Sequence, residues 1–454
     1  MDDVNGVRKR QVRSAGIASI TGWAMDLYDL TVILFVASTI GPLLFPEGNA
    51  TLQLTFVYAS FAVTLLLRPL GSALFGAYAD RNGRKLAMLV SISGVGISTA
   101  LMGAVPTYET AGYLAPSLFL LLRMIQGIFV GGVVASTHTL GTETVQPGHR
   151  GLMSGLVAGG GAGAGAVLAS IAFFVISTLF PGEAFTTMGW RVMFFTGIVT
   201  AIFSFYVYRR TEESPLWAKN QERPARQKSP LRQVFTGRYR TVMLVNTTVT
   251  AGGAAFYYLT VGFFPTFFGA NIGIEKTPAA IILIIANLGV IAGGIVGGRL
   301  SDRYGRRPVF VGFGTLVLVA VPFVYPWLAD RQPGEVVLVT VVAALMAFVV
   351  MAAGAPMLIF LNERFPTEIR ATGTGLSWNL GFAIGGVMPA IVTFFSPEVS
   401  DIPSRLAMGI AAFGVLFLLG AFIAGETRHL GLGEAASGTG SDRPAGLDDP
   451  VAQN

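Results

Sequence analysis

The sequence predicts an all-α membrane protein: twelve transmembrane helices in two six-helix halves. Three observations predict it. The 454 residues are 52% hydrophobic and only 12% charged, with a mean hydropathy of +0.63, whereas a soluble domain carries about 25% charged residues. Apolar runs long enough to cross hydrocarbon, which takes about 20 residues, recur twelve times. A charged ten-residue segment occurs twice, once in each half of the chain.

The elements follow in order. A basic amino tail, 1–16, holds Arg8, Lys9, Arg10 and Arg13. The apolar run behind it, of about 28 residues, is too long for the core of a cleavable signal and is expected to stay as the first helix. Spans are predicted at 17–45, 53–79, 86–105, 115–141, 152–180, 190–209, 241–268, 278–300, 308–328, 335–361, 370–396 and 405–424. The long basic link at 210–240 separates one half, 17–209, from the other, 241–424. The tail 425–454 is rich in Gly, Ala, Asp and Ser and is expected to be disordered.

Charge sets the expected orientation. With the amino terminus inside, 25 of the 31 Lys and Arg residues fall on the cytoplasmic side. Arg191, Lys276, Arg331 and Arg405 fall on the other side, and Arg68 and Arg123 lie inside spans. This bias places both termini in the cytoplasm of a cell membrane, the bacterial inner membrane being expected.

The halves repeat. "GAYADRNGRK" (76–85) follows the second span and "GRLSDRYGRR" (298–307) follows the eighth, which puts Asp80 and Asp302 at an offset of 222. Glu143 and Glu363 each precede an Arg by seven residues (Arg150 and Arg370), at an offset of 220. Duplicated halves of this kind belong to transporters whose site lies between the repeats at mid-membrane.

Several function classes are excluded. The chain has no cysteine, so disulfides, thiolate catalysis and cysteine-based zinc sites are ruled out. His138, His149 and His429 are too scattered to form a metal cluster. No nucleophile, base and orienter form a set, so no catalytic residue, cofactor or metal is expected. The net charge of +6 reflects the inward basic bias and not a nucleic-acid surface. "AGGGAGAGA" (158–166) lacks the strand a nucleotide fingerprint needs and reads as close helix packing.

Two acids, Asp26 and Asp29, lie three residues apart in the first span and so share a helix face. Charge at the centre of a span costs about 2.5–3.5 kcal/mol on insertion scales. Such a pair either locks helices together through ion pairs or carries protons in a water-filled cavity. Arg68 and Arg123, which stay cationic, are the available partners and could also bind a carboxylate. His138 could relay a proton. Tyr257, Tyr258, Asn287, Trp378 and Asn379 supply aromatic walls and polar anchors for a pocket. The adjacent tyrosines are not expected to face one cavity together.

These motifs carry a resemblance. The repeated G-x-x-x-D-R-x-G-R-[KR], "RMIQGIFVGG" (123–132) and "RRTEESPLW" (209–217) resemble signatures of the major facilitator superfamily. "RPLGSALFGAYADRNGRK", "FYYLTVGFFPTFF" and "FPTEIRATGTGLSWNLGFAIGG" are similar to the metabolite:proton and sialate:proton symporter branches. Proton coupling is expected of Asp26, Asp29 and Arg123, the reading that the resemblance favours, and substrate binding of Arg68, Arg123, Gln126, Tyr257, Asn287, Trp378 and Asn379. The resemblance implies gating by Asp80, Arg81, Gly83, Arg84 and Glu143 in one half and by Asp302, Arg303, Gly305, Arg306 and Glu363 in the other. Val133 stands where dicarboxylate carriers have Glu, which argues against a citrate-like solute.

The expected function is proton-coupled symport of a small organic anion by a monomer in the lipid bilayer, with that anion and protons as partners. A proton-driven exporter is the rival within transport. Helix five lacks the Pro usual in antiporters of the superfamily, which leans toward symport. A membrane sensor on the same fold is the rival of another class, but neither the link nor the tail is long enough for a signalling domain.

Overall fold

The computed structural model describes residues 2–45, 48–82, 84–137, 147–210, 233–366 and 369–430. The first half holds α1 (Asp2–Leu44), α2 (Ala50–Asn82), α3 (Arg84–Met102) and α4 (Leu114–Thr137). It continues with α5 (Arg150–Leu179) and with α6, built from Phe185–Gly189, Trp190–Phe195 and Gly197–Arg210. The second half holds α7 (Arg238–Leu259), α8 (Lys276–Tyr304) and α9 (Arg306–Ala329). It ends with α10 (Val336–Gly354 and Met357–Glu363), α11 (Arg370–Phe394) and α12 (Ile402–Ala424). Among the described residues there is no strand.

Ten of these twelve helices contain a stretch long and apolar enough to cross a membrane. The other two are α3, whose apolar part is the shorter Leu89–Met102, and α7, which carries Asn246, Thr247, Thr248 and Thr250. Helix α7 packs against α11 and α12, which buries Asn246 and Thr250, and the Thr250 hydroxyl is satisfied by the Asn246 carbonyl one turn back.

The halves pack as copies. The contacts α1–α5, α2–α4, α3–α4 and α3–α6 recur as α7–α11, α8–α10, α9–α10 and α9–α12. Two contacts join the halves broadly, α2 with α11 and α5 with α8, and a shift of six helices exchanges them. The duplication seen in the charged motifs therefore extends to the packing.

Burial separates inner from outer helices. In α1, 78% of the spanning window is buried, against 33% in α9. Exposed apolar side chains recur one turn apart, as in Leu66, Leu70 and Leu74 of α2 or Val337, Val341 and Leu345 of α10. These are lipid-facing stripes at helical spacing.

Three local features differ from the sequence expectation. The helix of α1 begins at Asp2 and so runs through the stretch expected as a basic amino tail. Leu156–Gly161 of α5 forms a turn of π-helix, a feature frequent at functional sites. The carboxyl tail is engaged up to Leu430. Glu426 accepts the N–H groups of Arg306 and Arg307 at 2.9 and 3.0 Å, and Gly305, at φ +112°, would clash with that carboxylate if it carried a side chain. Residues 431–454 and the link 211–232 lie outside the described residues. The end of the bundle that carries the Asp302 loop is called the motif end below.

Candidate functional site

A cavity of about 50 Å³ lies where α1, α2, α5, α7, α10 and α11 converge between the halves. Helix α1 presents Trp23, Leu27 and Leu30 to it, at helical i, i+4 and i+7 spacing. Helix α11 presents Trp378 and Phe382, one turn apart and stacked at 4.3 Å. Trp23 meets Trp378 edge-on at 5.4 Å, which closes the aromatic wall across the two halves. Helix α7 adds Tyr257 and Tyr258, helix α10 adds Met351 and Met357, and helix α2 adds Arg68.

Both tyrosines line this cavity, which corrects the expectation that adjacent residues could not. Successive residues are about 100° apart on a helix, so the two rings meet the cavity at different points of its lining. They pack edge-to-face at 5.6 Å.

Arg68 is the one charged group in the wall. It is buried and pairs with Asp26 at 3.3 Å. Asp26 and Asp29 do not enter the main cavity. They border a separate void of about 10 Å³ with Gly22, Met25, Ile92, Val95 and Thr200. The reason is rotational: the cavity face of α1 runs through Trp23, Leu27 and Leu30, and the acids sit on the neighbouring face toward α3 and α6. The expectation that both acids share a face holds, but the face is not the cavity's. Neither oxygen of Asp29 has a hydrogen-bond partner among the described residues. The hydroxyls of Thr99 and Thr200 are its polar neighbours.

Arg123 makes no ion pair with either aspartate among the described residues. Its Nη1 donates to Gln126 Oε1 at 2.5 Å, and Gln126 Nε2 donates to Thr99 at 2.7 Å. Its guanidinium lies 5.8 Å from the Phe61 ring centre. Arg123 and Gln126 thus reach Thr99, a polar neighbour of Asp29, and do not line the cavity. Asn287 bonds Leu283 and Ser170 in the α5–α8 seam. Asn379 faces Ser72 of α2 at 3.5 Å. Of the expected substrate groups, the cavity holds Arg68, Tyr257 and Trp378. Trp23 and Phe382 were not anticipated from the sequence. Their signal was present as aromatics one turn from another lining residue.

Cross-half contacts lie on both sides of the cavity. Away from the motif end, Tyr58 bonds Thr266 at 2.8 Å and stacks on Phe263 at 5.1 Å, and Thr55 bonds Thr393 at 2.9 Å. At the motif end, Asp302 accepts the N–H groups of Gly151 and Leu152 at 2.7 and 2.8 Å, capping the amino terminus of α5. Arg306 binds Asp302 at 3.2 Å and Glu363 at 2.9 Å. Arg303 is exposed and lies against Tyr304. In the first half, Gly83, His138 and Glu143 lie outside the described residues. The backbone at Asp80, Arg81 and Arg84 is helical.

Residues 15–390 match the sequence profile of the Major Facilitator Superfamily. The chain belongs to the Major Facilitator Superfamily. It is therefore a multi-span membrane transporter and not an enzyme. This facilitator is 32% identical over 423 residues to the inner membrane metabolite transport protein YhjE of Escherichia coli K12, covering 92% of this chain and 94% of that one. It is 29% identical to the glycine betaine/proline/ectoine/pipecolic acid transporter OusA of Dickeya dadantii, over 92% and 84% of the two chains. Its fold resembles that of the proton:xylose symporter XylE bound to 6-bromo-6-deoxy-D-glucose, with TM-score 0.74 at 17% identity, covering 94% and 99% of the two chains.

Proposed function

We propose that this facilitator is a symporter that moves a small carboxylate-bearing organic solute together with protons, by alternating access. One observation carries the reading: a buried Arg68 in the wall of an aromatic cavity is paired behind it with Asp26, and the buried Asp29 nearby has no cation among the described residues. An Arg can exchange its protein carboxylate for a solute carboxylate and bind it with two hydrogen bonds. An ionised Asp29 would be an uncompensated charge in a low-dielectric interior, which is strongly unfavourable. A proton on Asp29 removes that charge. When Arg123 leaves Gln126 and approaches, the proton can depart.

The aromatic rings favour a zwitterion within this class. Trp and Tyr faces attract cations, and quaternary ammonium groups in particular. Trp23, Trp378 and Tyr257 could receive the cationic end of a betaine-like solute while Arg68 holds its carboxylate. Glycine betaine, proline, ectoine and pipecolic acid, for which OusA is named, fit that description. A plain organic anion would use Arg68 alone. The basic bias of the sequence and the name of the E. coli relative support a bacterial inner membrane, with both termini and the motif end in the cytoplasm.

Counterflow in proteoliposomes tests the solute. Vesicles preloaded with glycine betaine, proline, a panel of monocarboxylates, or carboxylate-free choline and xylose are offered the same labelled compound. Exchange of at least one carboxylate-bearing compound, accelerated by an inward proton gradient, is expected. Exchange confined to solutes without a carboxylate would overturn the reading.

A further inference from the structure

Helix α10 stops at Gly354 and restarts at Met357. Pro356 has no N–H to continue the ladder, and the break leaves backbone groups in need of partners. The other half of the molecule supplies them. The Ser154 hydroxyl of α5 donates to the Ala355 carbonyl at 2.7 Å and accepts from the Ile359 N–H at 3.3 Å. Ser154 is fully buried and does not line the cavity.

The restarted segment, Met357–Glu363, is buried at every residue. Its first residue and the preceding Gly354 line the cavity. Its last, roughly 9 Å further along at helical rise, binds Arg306 and accepts from Thr427 at 2.7 Å. Arg306 reaches Asp302, and Asp302 caps α5 only three residues before Ser154. The segment is thus held at three places: the cavity wall, Ser154 and the motif-end charge cluster.

We propose that Met357–Glu363 is the rod that transmits occupancy of the cavity to the gate at the motif end, and that Ser154 is the pin that positions it. A solute in the cavity meets Met357. Displacement of that end strains both Ser154 bonds and the Glu363–Arg306–Asp302 chain together. The amino terminus of α5 is then released from the second half. The inference holds whichever solute is carried. Ser170 is a built-in comparison. It is also a buried serine of α5, but it meets Asn287 of α8 on the far side of the cavity and donates within its own helix.

The test uses the absence of native cysteine. Ala158→Cys places a reporter in the cavity wall. A membrane-impermeant methanethiosulfonate reagent is applied to full-length protein in oriented vesicles, from the motif face or from the opposite face. Ser154→Ala on this background is expected to speed motif-face labelling about five- to tenfold, the worth of a lost hydrogen bond, and to slow labelling from the other face. Ser170→Ala should leave the motif-face rate within twofold of the parent. An unchanged motif-face rate in Ser154→Ala, or an equal rise from both faces, overturns the proposal, as does a motif-face rise in Ser170→Ala. If Ser154→Ala does not give a monodisperse protein, Glu363→Gln cuts the rod at its other end. It must produce the same one-sided rise, and failure to do so overturns the proposal equally.

Discussion

Asp29 lies in the membrane interior with neither oxygen hydrogen-bonded among the described residues, while Asp26, three residues earlier, holds Arg68 at 3.3 Å. The two acids therefore have different chemistry despite sharing a helix face. Asp26 is tied to the cation of the cavity wall. Asp29 borders a void sized for about one water molecule, and its polar neighbour Thr99 accepts from Gln126, which in turn accepts from Arg123. Asparagine at position 29 keeps the shape and removes the titration. Asp29→Asn is expected to abolish accumulation driven by a proton gradient while exchange at equal pH stays within a few-fold of the parent. Uptake of the counterflow-active solute, with and without an imposed gradient, measures both. Gradient-driven accumulation by Asp29→Asn would place the proton carrier elsewhere.

At the scale of the element, function follows from which face of a helix meets the centre. Helix α11 gives Trp378 and Phe382 to the cavity and turns Asn379 toward α2, about 100° away. Helix α7 gives both Tyr257 and Tyr258. Single cysteines should report this directly. Tyr257→Cys is expected to react with a small aqueous thiol reagent and to be protected by solute. Asn379→Cys should react at least about tenfold more slowly, because a residue packed between helices is reached only by rare opening. Equal rates at the two positions would mean that the cavity extends between α2 and α11. The breaks in α5 and α10 belong to the same scale. A π-turn at Leu156–Gly161 and an interruption at Ala355–Pro356 lie in different halves, and each borders the cavity, the first through Ala158 and the second through Gly354 and Met357.

At the scale of the whole molecule, two six-helix bodies meet along α2–α11 and α5–α8, and rocking one against the other must break contacts at one end while keeping those at the other. Backbones approach closely in the α5–α8 seam, where a side chain at Gly155 would strike the carbonyl of Gly294. The motif-end cluster fastens this seam by a cap and not by a solute-binding group. Asp302→Asn weakens the cap on Gly151 and Leu152 and the pair with Arg306. Transport turnover is expected to fall about tenfold, with equilibrium solute binding changed by less than about threefold, because the residue shapes the interconversion and not the site. Loss of affinity at normal turnover would contradict this assignment.

The sequence by itself determined the class, the helix number, the duplication and the charged parts. Hydrocarbon admits few structures, so length and polarity of the apolar runs suffice to read spans, and motifs such as Asp302-Arg303 with Glu363 are recognisable because charge is rare here. It also picked out Arg68, Tyr257 and Trp378, since polar and aromatic groups in a span need a reason. It could not decide direction around each helix. Whether Asp29 faces the cavity or α3, whether Asn287 meets solute or Ser170, and whether Glu426 hangs free or caps α9 depend on rotations of about 100° per residue and on which helices become neighbours. A lipid environment has no hydrophobic pull to orient one apolar face over another, so those choices rest on packing, on small residues and on buried polar partners. Only the tertiary structure brings them together.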